Sequence, residues 1–177
     1  MKLVKTLILL VLILVGGLYF GGMALSSKFH VSRTVQIEAS PDKVYALVAS
    51  PRQWKQWSVW NQRDPMMAIE YSGPESGPGA VWAWKSKSEG DGKMTFTTAE
   101  PPKRMGYELY FPDFGTTSSG EFRFESTSPS ACSVTWSMDG DMGSNPLFRW
   151  IALFSDKMVG ADFEAGLARL KALAEKS

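Results

Sequence analysis

Residues that carry reaction chemistry are scarce: the 177-residue chain has one cysteine and one histidine. The single Cys132 excludes an internal disulfide framework and any multi-cysteine metal site. The single His30, a few residues past an apolar segment, reads as a juxtamembrane polar residue, and no Ser–His–Asp arrangement or phosphate loop is visible. Lysine and arginine number 19 against 18 acidic residues. That balance leaves no basic field for nucleic acid and no acidic tail. No metal and no cofactor are expected.

Aromatic surface, by contrast, is abundant. Five of the seven tryptophans, Trp54, Trp57, Trp60, Trp82 and Trp84, fall in one short stretch. Trp is large and apolar and carries one donor, so this density builds either an over-sized core or the wall of an apolar pocket. Strand alternation puts Trp82 with Trp84, Met94 with Phe96, Phe122 with Phe124, and Trp136 with Met138 on shared faces. Cys132 shares the face of Val134 and Trp136 and reads as a buried structural thiol.

The N-terminus is a membrane signal. Leu7 to Leu25 is an uncharged, apolar run of nineteen residues. As a helix it spans roughly 28 Å, close to the hydrocarbon thickness of a bilayer. Lys2 and Lys5 precede it and favour an N-terminus inside, with the remainder outside the cytoplasm in a bacterial periplasm or at the cell surface. An uncleaved anchor over residues 6–25 is expected. A cleaved secretory signal with Ala24-Leu25-Ser26 as its small-residue site is the alternative. Gly17 and Gly21 form a GxxxG spacing that suits weak helix-on-helix homodimerisation. The chain thus divides into a segment 1–27 and one domain, 28–177.

Phe29–Glu38 alternates as a half-buried strand. Ser40-Pro41 starts a short helix as N-cap and first turn, and 52–57 forms a second helical turn with Trp54 and Trp57 on one face. Six further strands follow near 68–72, 80–87, 92–99, 105–111, 118–125 and 132–138, separated by Gly/Pro turns, as in an antiparallel meander. A long C-terminal helix carries apolar residues at Leu147, Ile151, Phe154 and Met158, then Val159, Phe163, Leu167, Leu170 and Leu173. Gly160 and Gly166 inside it mark a kink or a close approach to the sheet. The expected class is α+β: a curved antiparallel sheet of about seven strands, ordered β-α-α-β6-α, around the long helix.

The pattern Trp54-x-x-Trp57-Ser58-x-Trp60, Asp64-Pro65, Tyr71-Ser72-Gly73, Gly77-x-Gly79-Ala80, Trp84, Gly92-x-Met94-Thr95 and Pro101-Pro102 resembles bacterial polyketide cyclase-like proteins of the START-like (SRPBCC, helix-grip) superfamily. So does the end of the chain, Trp136-x-Met138-x-Gly140 and Met158-x-Gly160-x-Asp162-Phe163-Glu164-x-Gly166-Leu167. The resemblance covers about residues 29–175 and departs at Val59, where relatives carry Pro. It implies a helix-grip fold and, for most members, binding of lipids or other apolar ligands; a minority are aromatic-polyketide cyclases.

The expected site is an apolar cavity between sheet and C-terminal helix, holding an apolar small molecule or lipid. Its candidate lining is Trp54, Trp57, Trp60, Trp82, Trp84, Phe96, Phe122, Phe124, Trp136, Met138, Phe154 and Met158, with Arg33 as an anchor for a ligand carboxylate at the mouth. A cyclase- or dehydratase-like enzyme is the alternative, for which Arg33, Glu70, Asp113 or Tyr107 would have to project into the cavity. A protein-interaction module, signalled by an exposed apolar patch without a pocket, is the third reading.

Overall fold

Alternating burial along β1 (Lys28–Ile37) sends Val31 and Ile37 into the interior and leaves Thr34 and Gln36 outside. The computed structural model describes residues 2–176. Before β1 lies helix α1 (Lys2–Met23), and after it three short helices, α2 (Pro41–Ala49), α3 (Pro51–Trp57) and α4 (Val59–Arg63). Strands β2 (Ala68–Ser72), β3 (Val81–Lys85), β4 (Gly92–Glu100), β5 (Arg104–Phe111), β6 (Thr116–Ser128) and β7 (Ala131–Asp141) lead to the long helix α5 (Pro146–Lys176).

All seven strands form one antiparallel sheet in the order β1-β7-β6-β5-β4-β3-β2. β1 therefore closes beside the last strand, and the α2–α4 segment crosses one end to reach β2 at the other edge. The architecture is the α+β helix-grip arrangement expected, with one addition. The reading of two short helices misses α4, five residues that restart the helix after Ser58, whose extended backbone (φ −62°, ψ 130°) interrupts α3. At Ser40 the extended backbone and Pro41 open α2, with the Ser40 carbonyl accepting from Val44 N–H at 3.2 Å, but the side chain makes no capping bond.

α5 carries two apolar arcs rather than one. At about 100° per residue, Leu147, Ile151, Phe154 and Met158 share one direction, while Val159, Phe163, Leu167 and Leu170 point roughly 145° further round. Only the second arc meets the sheet: Phe163, Leu167 and Leu170 are buried, whereas Phe154 is 50% and Met158 62% exposed.

The interior glycines of α5 mark close approach, and the helix continues through both. A Cβ at Gly160 would fall onto the Arg33 guanidinium, and one at Gly166 would lie 3.0 Å from the Trp136 ring. The core between helix and sheet is aromatic. Trp136 stacks on Phe163 with centroids 3.8 Å apart and on Phe122 at 4.7 Å. Trp54 and Trp57 sit beneath them, fully buried, their N–H groups donating to the Val48 and Leu47 carbonyls at 2.8 and 3.1 Å. Cys132 is buried too, and burial pushes its thiol above the ordinary range.

Candidate functional site

A cavity of about 150 Å³ lies between the β3–β7 part of the sheet and α5. The sheet supplies Trp82, Trp84, Met94, Tyr107, Leu109, Phe111, Trp136 and Met138; α4 supplies Trp60; α5 supplies Val159, Asp162 and Phe163. The period of two along each strand explains the selection, because Trp82 and Trp84, Tyr107, Leu109 and Phe111, and Trp136 and Met138 are each spaced by two.

Of the thirteen candidates, Trp60, Trp82, Trp84, Trp136 and Met138 line this space. Trp54, Trp57, Phe96, Phe122 and Phe124 do not: they are 0–4% exposed and fill the core behind the wall. The expectation fails for Phe154 and Met158, because they lie on the outer arc of α5 and face away from the sheet. Arg33 does not line this space either. Its guanidinium crosses Gly160 to meet Asp156 at 2.8 Å and Glu164 at 2.6 Å, and it also donates to the Asp156 carbonyl at 3.0 Å, bracing β1 to α5. Donating to the Asp156 and Glu164 carboxylates raises the Arg33 pKa further, and accepting from Arg33 lowers that of Asp156. Glu70 and Asp113 are exposed and also lie outside the cavity wall.

The polar features of the wall are few. Trp136 Nε1–H donates to the Tyr107 hydroxyl at 2.7 Å, both side chains being almost wholly buried. Burial drives the Tyr107 pKa strongly upward, partly opposed by that hydrogen bond, so the hydroxyl stays neutral. Trp82 Nε1 is buried with no hydrogen-bond partner among the described residues. At the α4 side, Arg63 pairs with Asp162 and, at 3.5 Å, with Glu89, while Trp60 Nε1–H donates to Asp162 at 3.0 Å. This clasp ties α4, α5 and the β3–β4 loop together beside the cavity. Met67, Glu89, Met94, Leu109, Phe111, Val159, Asp162 and Phe163 line the space without having been among the candidates, because strand and helix periods do not say which inner side chains border a void.

Edge-to-face rings continue outward from the wall. Trp84 meets Phe111 at 6.1 Å, Phe111 meets Phe114 at 6.4 Å, and Phe114 meets Phe148 of the first turn of α5 at 5.8 Å.

A seven-stranded sheet gripping α5 over a small aromatic cavity defines the helix-grip class of fold. The family model described as "Polyketide cyclase / dehydrase and lipid transport" matches residues 28–175, and the chain belongs to that family. None of the curated proteins matches. Among solved structures it is similar to norcoclaurine synthase of Thalictrum flavum in complex with a transition-state analogue: 14% identity, TM-score 0.64, covering 84% of this chain and 95% of that one. A structural-genomics protein from Chromobacterium violaceum gives 16% identity and TM-score 0.58 over 84% of this chain and 98% of its own. DynU16 of the dynemicin biosynthetic locus gives 17% and 0.55 over 81% of this chain and 46% of its own. At these identities the likeness concerns the fold.

Proposed function

We propose that this protein is a membrane-anchored binder of an apolar, ring- or chain-bearing small molecule or lipid, held outside the cytoplasm by α1. The observation that carries the reading is the cavity between Trp60, Trp84, Trp136 and α5, whose wall is apolar apart from a few placed donors and the Arg63 clasp. Support for the anchor is α1 itself, a 22-residue helix long and apolar enough to cross a membrane, with Lys2 and Lys5 in its first turn. A signal sequence passes the same length and hydropathy test.

Size sets what is held. A cavity of 150 Å³ matches one that holds a benzene-sized guest and falls below the roughly 300–1,000 Å³ of drug-sized pockets. A ring burying about 150 Å² of apolar surface gains roughly 4 kcal/mol, about half of what micromolar affinity needs. A tight ligand therefore places one ring or chain end inside and lays the rest along the mouth. The unpartnered Trp82 N–H and the Tyr107 hydroxyl proton favour a ligand with a hydrogen-bond acceptor on the enclosed part.

The test is mass spectrometry of small molecules extracted from natively purified full-length protein, beside a Val159→Trp variant that fills the cavity from α5. Wild type should retain an apolar compound that the variant loses. Equal recovery from both would refute the site.

One observation favours a second reading, a cyclase- or dehydratase-like activity: the neutral Tyr107 hydroxyl stands in the wall as a donor able to polarise a ligand carbonyl. Turnover of a model polyketide that Tyr107→Phe abolishes would support it, and binding without turnover would leave the first reading standing.

A further inference from the structure

We propose that the N-terminal half of α5 lies in the surface of a phospholipid bilayer as an interfacial helix, its outer apolar arc among the lipids. The domain then rests on the membrane that α1 crosses instead of standing off it. This rests on the reading of α1 as an uncleaved anchor.

The depth of α1 carries the argument. A hydrocarbon core of about 30 Å needs about 20 helical residues, and the uncharged run from Thr6 to Leu25, helical as far as Met23, leaves no slack. Leu25 is therefore the level at which the chain leaves the hydrocarbon. Yet Trp150 Nε1–H donates to the Leu18 carbonyl at 2.9 Å. Leu18 lies five residues, about 7–8 Å along the axis, below Met23, the last residue of α1. That matches the roughly 5–10 Å to which interfacial helices sink.

The contact is intimate rather than grazing. A Cβ on Gly21 would come 3.1 Å from the Trp150 ring, and one on Gly22 would overlap the Pro146 carbonyl. Gly21, half of the GxxxG pair, is thus occupied within the chain. Arg149 donates to the carbonyls of Met23 at 3.1 Å and Leu25 at 3.3 Å, placing a cation where the chain emerges. Trp below and Arg at the exit is the order that membrane interfaces favour. Four residues separate α1 from β1, too few to lift the domain away.

What this depth submerges is apolar. Leu147 is 42%, Leu153 53%, Phe154 50% and Met158 62% exposed, and with Trp150 and Ile151 they span an arc of about 160°. The opposite side, Ala152 and Ser155, is buried against the domain. Lys157 lies on the exposed arc and has a stem long enough to carry its charge to the headgroups. Phe148, in the same half-helix, ends the ring chain that starts at the cavity wall, but it points to the domain side with Ala152 and Ser155 and takes no part in the outer arc.

The test uses full-length protein in phosphatidylcholine vesicles with an environment-sensitive fluorophore on one introduced cysteine: Phe154→Cys, Met158→Cys, Leu12→Cys in α1, or Ser130→Cys in the β6–β7 turn. Labels at 154 and 158 should shift to the blue and be quenched by spin-labelled lipid several-fold more than the label at 130. If 12 is quenched while 154 and 158 behave like 130, the anchor stands and the proposal falls. If 12 is not quenched, the anchor reading fails and takes the proposal with it. A blue shift at 154 without lipid quenching means a protein covers the arc, and also overturns the proposal.

Discussion

Removing one oxygen tests the cavity wall. In Tyr107→Phe the ring stays and the acceptor of Trp136 Nε1–H is lost from a bond of 2.7 Å. Tyr107 is 2% and Trp136 1% exposed, so bulk water cannot replace it. The adjoining cavity offers little: Trp82 presents another donor, and Asp162 and Glu89 are already held by Arg63. An orphaned buried donor costs about 1–3 kcal/mol. For a domain of this size that lowers Tm by roughly 2–4 °C per kcal/mol. Urea unfolding of the full chain in mild detergent, followed by tryptophan fluorescence, gives the free energy directly. The control is the same change in a Trp136→Phe background, where no donor remains and the cost of Tyr107→Phe should nearly vanish. A Tyr107→Phe cost below about 0.5 kcal/mol in the wild-type background, or an equal cost in both, would refute the pairing and with it the assignment of the hydroxyl proton to the ligand.

Other outcomes follow from the same contacts. Gly160→Ala should gain little or lose stability while Arg33 lies across the glycine, but stabilise by about 0.5–1 kcal/mol in an Arg33→Ala background; equal effects in both by thermal melts would deny the brace. At Glu121, burial raises the carboxyl pKa, but hydrogen bonds from Arg123 and Arg104 outweigh it and hold the group below its ordinary value. Its contribution is therefore complete above the unfolded carboxyl range near ~4.3 and is lost as pH falls through the depressed folded value. Glu121→Gln should flatten the acid limb of Tm against pH, and an unchanged limb would contradict this. Cys132, buried and with its thiol pushed up, should resist a water-soluble thiol reagent in the native state and react fully in denaturant.

The fold was legible because its signals are local. Alternation in β1 and β4–β7, Pro at the starts of α2 and α3, and Gly/Pro turns at the strand ends all act within a few residues. α4 was not, since five residues after an extended Ser58 leave no period to read. The cavity was half legible. Strand period puts Trp82, Trp84, Trp136 and Met138 on the inner face, but whether an inner side chain meets a helix or a void depends on which rings of other elements arrive first. Trp54 and Trp57 arrive first under Phe122 and Trp136, and so become core.

Helix α5 shows how one apolar count conceals two functions. Read as a single stripe, its nine large side chains all belong against the sheet, and Phe154 and Met158 join the cavity. The step between Met158 and Val159 is a single residue, yet the outer series ends at one and the inner series begins at the other. Gly160, just beyond, lets the helix lie against β1 where the Arg33 brace fixes its rotation. With that rotation fixed, the inner arc has to meet the sheet, and the outer arc, beginning beside α1, has to find an apolar partner of its own. The proposed seat of α5 on a membrane gives this exposed apolar patch the same apolar surroundings as the proposed span of α1.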